Sequence, residues 1–189
     1  MKKRFLHIYN RGAHKADVFK NEQDYWRMLK VLYIANSEVP FNMYSLSENI
    51  FLIPRRKNLV DIIAYCLMPN HFHIAICEIS PIQTSRFMQK LGTSYSCYFN
   101  KKYVHSGTIW QGGYKSKYVD DEDYFEILLN YIHLNPYRSK ETPRDTNELI
   151  VMLCKALEQS KKYEFSSFKD YLGINRPQSS ILASEVRPS

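Results

Sequence analysis

The chain has 189 residues, 44% of them hydrophobic and 14% aromatic, enough for one core of ordinary size but not for two independent ones. Its 26 Lys and Arg against 19 Asp and Glu give a formal charge of +7, which suits a polyanionic partner and is also met in a merely basic soluble protein. Cys66, Cys77, Cys97 and Cys154 form no Cys-x-x-Cys pair, which argues against a zinc ribbon or disulfide scaffold, and with no membrane-length apolar run and no signal-peptide core the expected location is cytoplasmic.

Phe5 to Asn10 reads as a first strand, ending in the polar turn Asn10-Arg11-Gly12. Asn21 is a helix cap, and the helix predicted through Ala35 places Tyr25, Met28, Leu29 and Leu32 on one side. From Asn36 to Asn58 the periodicity breaks at Pro40, Pro54 and the cluster Arg55-Arg56-Lys57, which suggests an inserted loop, with or without a short hairpin. The basic cluster either touches a phosphate backbone or is solvated surface.

Ile62 to Met68 and Phe72 to Cys77 supply further extended segments, interrupted or bulged at Pro69-Asn70. Ser80-Pro81 is a strong helix start, and the helix through about Tyr103 carries Phe87, Met88, Leu91, Tyr95, Tyr98 and Phe99 as a core stripe. Arg86, Lys90, Lys101 and Lys102 on it remain for solvent or nucleic acid. After turn glycines from Gly107, the residues Tyr114 to Val119 alternate aromatic or small with basic, Lys115 and Lys117 among them. That pattern fits a nucleic-acid surface or an edge strand guarded by lysines.

Asp120 or Asp121 then caps a helix that Pro136 stops, with Tyr124, Leu128, Tyr131 and Asn135 on one stripe. Further on come a helical stretch around Leu149 to Glu158, the aromatics Tyr163, Phe165, Phe168 and Tyr171, and a polar end expected to be mobile. The organisation read from this is a single domain over residues 1–175, with an insertion at about 40–60 and a flexible tail over 176–189.

The segment Met68 to Ile76, MPNHFHIAI, holds the sharpest chemistry. Side chains alternate across a strand, so His71 and His73 share one face while Phe72, Ile74 and Ile76 share the other. Two adjacent imidazoles can hold a metal, or be two solvated or hydrogen-bonded histidines. Oxygen donors complete such a site for Mg²⁺ or Mn²⁺, and Asn135 could supply one. Tyr131, one turn before it, is either a core aromatic or a nucleophile whose attack on phosphorus conserves the bond energy for rejoining.

The runs YCLMPNHFHIAI, WQGGYKSKYV and YIHLNP, in that order, resemble the IS200-like single-tyrosine transposases of the HUH nuclease class, which include the REP-associated tyrosine transposases. The opening IYNRG and the late YEFSSF extend the resemblance from about Phe5 to Tyr171. It implies an α+β fold, a ferredoxin-like α/β sandwich with a central antiparallel sheet and helices packed on it. It also implies a nicking and joining enzyme for single-stranded DNA, often with a hairpin or palindromic end beside the cleavage site. By position, His71 and His73 stand for the metal ligands, Asn135 for the polar residue that completes the Mg²⁺ or Mn²⁺ site, and Tyr131 for the nucleophile that forms a 5′-phosphotyrosine.

Tyr9 is the rival nucleophile, because related relaxases carry theirs near the amino terminus. His133 reads as a surface histidine or one that steadies a ligand, and Leu134 stands where replication initiators usually place a lysine. Arg11, Lys115 and Lys117 are the candidate phosphate contacts, set against simple solvation. Two departures are a longer Pro40 to Val60 segment and Gly113 where many relatives place a side chain. Relatives include monomers and homodimers, so the oligomeric state stays open. The alternatives are a domesticated hairpin-binding regulator that keeps the fold without transposition, and an RNA phosphodiesterase, which would need a second His-x-Ser or His-x-Thr motif that the sequence lacks.

Overall fold

The computed structural model describes residues 4–39, 49–55, 57–119, 122–137 and 143–186. Four strands, β1 (Arg4–Arg11), β2 (Asp61–Met68), β3 (His71–Glu78) and β4 (Lys115–Val119), form an antiparallel sheet in the order β2-β3-β1-β4. Helices α1 (Glu22–Ala35) and α2 (Pro81–Tyr103) connect β1 to β2 and β3 to β4, which is the ferredoxin-like arrangement. After β4 come α3 (Glu122–Leu134), α4 (Thr146–Ser160) and the single turn α5 (Phe168–Tyr171).

Period-two alternation divides the sheet into two unequal faces. Leu6, Ile8, Tyr65, Leu67, Phe72, Ile74 and Ile76 point to one side and pack against α1 and α2, whose Met28, Leu29, Leu32, Phe87, Leu91 and Tyr95 complete the large core. Burying each such side chain stabilises the fold by about 1.5–3 kcal/mol. The opposite face buries a smaller set, Ala64, Cys66, Met68, Ala75 and Val119, under Leu128 and Ile132 of α3. Small residues there let α3 approach while leaving polar strand positions uncovered.

Both predicted helix starts are present. Ser80 Oγ accepts from Gln83 N at 3.2 Å with Pro81 in the first turn, and Asn21 forms a reciprocal capping box with Asp24. The candidate caps Asp120 and Asp121 lie outside the described residues. Pro69-Asn70 is a tight turn between β2 and β3 rather than a bulge; the register irregularity falls between Ile62 and Ala64 instead. Its carbonyls are taken up by the β1–α1 connection, where Gly12 N donates to Asn70 O at 2.7 Å and Val18 N to Pro69 O at 2.9 Å. Gly12 is required here, because a Cβ would lie 2.1 Å from Ala16 O.

Residues 40–48 and Arg56, which include much of the expected insertion, lie outside the described residues. Its second half is core rather than surface loop: Ile50, Phe51, Leu59 and Val60 are buried, and Asn36 holds the backbone of Leu59 and Val60. Arg55 makes structural contacts where the sequence left a phosphate contact open. Its guanidinium donates to Tyr33 O at 3.1 Å and Ser180 O at 2.7 Å, and lies 4.2 Å from the centre of the Tyr33 ring.

Where the sequence suggests a mobile tail from residue 176, the chain turns back onto the core. Arg176, Gln178, Ser179 and Ile181 to Ala183 are buried, and Ala183 N donates to Ile62 O at 2.8 Å. The anchor is Arg176, which pairs with Asp170 at 2.6 Å and Glu164 at 3.2 Å and donates to Ser166 O at 2.8 Å. No described helix is long and apolar enough to cross a membrane.

Candidate active site

On the face opposite the large core, the antiparallel register sets Tyr9 across from His73 and Arg11 across from His71. On the other side of β1, Lys115 lies across from Tyr9 and Lys117 across from His7. Cross-strand neighbours project to the same side, so His7, Tyr9, Arg11, His71, His73, Lys115 and Lys117 share one face. Arg11 therefore neighbours His71 directly, while Lys115 and Lys117 lie one strand further out, beyond Tyr9 and His7.

Helix α3 lies along this face in the direction of β1. Phe125 packs on Phe5 with ring centroids 4.4 Å apart. Six residues later, about 9 Å along the helix, Tyr131 stands edge-on to His73, with centroids 5.3 Å apart and planes at 80°, and 6.0 Å from His7. Asn135 follows at the head of a short 3-10 turn, Asn135–Tyr137. Its buried Nδ2 has no hydrogen-bond partner among the described residues. The two ends of an amide are interchangeable in assignment, and with the amide turned over the orphaned atom is an oxygen, a donor suited to a hard cation.

His71 and His73 are perpendicular, with ring centroids 5.1 Å apart. His71 Nδ1 is 2.6 Å from Asn70 Oδ1, and Asn70 Nδ2 donates to Lys15 O at 3.0 Å. A carbonyl can only accept, so Lys15 O fixes the orientation of the Asn70 amide, and Asn70 Oδ1 in turn requires the His71 proton on Nδ1. That leaves the His71 Nε2 lone pair for a ligand. His73 Nδ1 is 2.8 Å from His7 Nε2.

Burial, reinforced by His7 and His71, lowers the His73 pKa to about 3; burial and the charge of Lys117 lower that of His7 to about 4. Burial and Arg11 push His71 in the same direction. All three imidazoles are therefore neutral at neutral pH, the state in which nitrogen can bind a metal. Among the described residues no three His, Cys, Asp or Glu side chains converge as a cage. By chemistry, neutral imidazoles and an amide oxygen are donors that a divalent cation accepts alongside water or phosphate oxygens.

Arg11 and Lys115 are exposed, whereas the Lys117 ammonium is 3.1 Å from Tyr124 Oη and 5.0 Å from the centre of that ring. Tyr9, the rival nucleophile, also borders the site, its ring 5.8 Å from His73 and 5.1 Å from His7. His133 is not a surface histidine: it is buried against Phe168 and Tyr171, with Nε2 2.9 Å from Ser167 Oγ. His7 is the residue that sequence reasoning passed over. Its signal was the alternation Phe5, His7, Tyr9, Arg11 along a strand whose intervening positions are apolar or neutral.

With this geometry established, residues 42–135 match the family described as Transposase IS200 like, a span that includes both histidines, Tyr131 and Asn135. The chain belongs to that family. This IS200-like transposase also shares its fold with a solved structure described as a REP-associated tyrosine transposase bound to a REP hairpin. The TM-score is 0.56 at 13% sequence identity, covering 93% of this chain and 84% of that one. No curated protein sequence matches the transposase.

Proposed function

We propose that this IS200-like transposase is a divalent-metal-dependent nuclease and strand transferase for single-stranded DNA, with Tyr131 as its nucleophile. The observation that carries the reading is the juxtaposition of Tyr131 with His73, ring centroids 5.3 Å apart, on a face that also holds His71 and Arg11. His71, His73 and Asn135 are the residues that would hold Mg²⁺ or Mn²⁺. When bound, the cation supplies Lewis-acid polarisation of the scissile phosphate.

Arg11 and Lys115 bind the flanking phosphates and set the strand across the face. Tyr131 Oη attacks phosphorus and loses its proton to solvent as the bond to the 3′ oxygen breaks. That oxygen takes up a proton and leaves as a free 3′ hydroxyl, while the 5′ phosphate stays on Tyr131 as a phosphodiester. Attack by another 3′ hydroxyl reverses the step and joins strands without a nucleotide cofactor. The REP-associated relative is described as bound to a hairpin, and we extend that partner class to this chain as hairpins formed by palindromic single-stranded ends.

The test is covalent trapping. A 5′-labelled and a 3′-labelled hairpin oligonucleotide are incubated with the protein and Mg²⁺ or Mn²⁺, then resolved under denaturing conditions. Wild type retains the label lying 3′ of the cut, and Tyr131→Phe retains none. An adduct that persists in Tyr131→Phe overturns the assignment of the nucleophile. Hairpin binding by wild type with no adduct under either metal instead supports a binding regulator that keeps only the fold.

A further inference from the structure

We propose that His7 is a positioning residue that holds His73 in the tautomer with its proton on Nδ1, presenting the Nε2 lone pair to the cation. The inference rests on the metal-site reading above and goes beyond it, since His7 is neither a candidate ligand nor part of the histidine motif.

The contact is direct: His7 Nε2 and His73 Nδ1 are 2.8 Å apart, with the two rings stacked at a centroid distance of 5.0 Å and an angle of 28°. A hydrogen bond between two ring nitrogens needs one proton between them. If His7 donates, His73 must keep its own proton on Nε2, and the nitrogen needed by a metal is blocked. If His73 donates from Nδ1, its Nε2 is a bare lone pair and His7 carries its proton on Nδ1. Only the second arrangement is competent for a metal ligand.

The neighbouring ligand shows the same logic with the ambiguity removed. His71 Nδ1 faces an oxygen, Asn70 Oδ1, at 2.6 Å, so its proton position is set by a group that cannot donate. Each histidine of the pair thus has its Nδ1 occupied by a polar partner from a different element, Asn70 from the β2–β3 turn and His7 from β1. The register explains why His7 reaches His73. It lies across from Ala75, whose small side chain leaves the space above the sheet open beside His73. Ring orientation follows from the same bond, because rotation of His73 would break it.

A side chain that accepts from His73 Nδ1 should therefore preserve the site, and an apolar one should not. Gln at position 7 offers an amide oxygen; Leu offers no acceptor. In metal-free, ¹⁵N-labelled wild-type protein, His73 should show the tautomer protonated on Nδ1, and His7→Gln should keep it. His7→Leu should give a mixture of tautomers, with Mn²⁺ binding by calorimetry weakened about 10- to 100-fold and thermal unfolding little changed. A His73 protonated on Nε2 in the wild type, or His7→Leu binding Mn²⁺ as wild type does, would overturn the positioning role. No Mn²⁺ binding by the wild type would instead overturn the metal-site reading on which it stands.

Discussion

His133 Nε2 and Ser167 Oγ are 2.9 Å apart, and the same hydroxyl reaches Tyr65 O at 3.3 Å while accepting from Tyr65 N at 3.0 Å. The Ser167 hydroxyl has one proton, so the consistent arrangement is a relay in which His133 donates to Ser167 and Ser167 donates to the backbone of β2. His133 follows Tyr131 by two residues and so points away from it around the helix. The bond fastens α3 to the outer edge of the sheet while Tyr131 faces the histidines.

Burial lowers the His133 pKa from 6.5 to about 4. In the unfolded chain it takes up a proton below about pH 6.5, whereas in the folded protein it resists until about pH 4. Its contribution is therefore complete above pH 6.5 and is lost as pH falls toward 4, by up to about 3 kcal/mol. Urea unfolding of His133→Gln at pH 7, 5 and 4 should show a shallower loss of stability than wild type, with about one fewer proton taken up on unfolding near pH 5. Parallel pH dependences would mean that His133 titrates normally in the fold.

Local signals made α1 and α2 legible, because a cap and a 3.6-residue apolar period are written within a few positions of each other. The strand alternation around Phe72 likewise set His71 and His73 on one face. What stayed hidden depended on distant partners. The strand order brings His7 beside His73, 66 residues away, and neither segment alone announces the other. The internal role of Arg55 and the anchoring of the tail by Arg176 were hidden because their carbonyl and carboxylate partners lie in segments that only the tertiary fold brings near. His133 was misread for the same reason: its partner Ser167 reaches it by pairing beside β2.

Tyr9 and Tyr131 both border His73, at 5.8 and 5.3 Å between ring centroids. The difference between them is in their mounting. Tyr9 is fixed within the central pair of strands, whereas Tyr131 comes from a helix lying over the site and is followed one turn later by the orphaned amide of Asn135. Tyr9→Phe should keep the covalent DNA adduct at a rate within several-fold of wild type, and peptide mapping of the adduct should place the phosphate on Tyr131. An adduct mapped to Tyr9 would reverse the assignment.

Arg11 and Lys115 flank the histidine face with their charges exposed, while Lys117 is held by Tyr124. Each phosphate contact to a single strand contributes about 0.7 to the slope of log affinity against log salt. Arg11→Ala and Lys115→Ala should each weaken single-strand binding and lower that slope by about this amount, with little dependence on sequence. Lys117→Ala should change it less, because releasing its ammonium from Tyr124 offsets part of any gain on binding. Salt titrations of fluorescently labelled oligonucleotide measure all three, and unchanged slopes for Arg11→Ala and Lys115→Ala would remove them from the DNA path.

Arg55 provides the opposite case, a basic residue whose work is inside the protein. Its guanidinium joins Tyr33 O of α1 to Ser180 O of the carboxyl-terminal segment and lies against the Tyr33 ring. Arg55→Ala leaves two carbonyls without their charged donor and removes the stacking contact, a loss of about 1–3 kcal/mol. The segment around Ser180 should loosen locally rather than detach, since Ser180 Oγ still donates to Phe51 O at 2.9 Å, Ala183 N to Ile62 O at 2.8 Å, and Arg176 stays paired with Asp170. Hydrogen exchange should therefore accelerate over residues 178–183 in Arg55→Ala, while affinity for single-stranded DNA and its salt slope stay at wild-type values. A fall in affinity with exchange unchanged would return Arg55 to the nucleic-acid surface, and with it the basic cluster between α1 and β2.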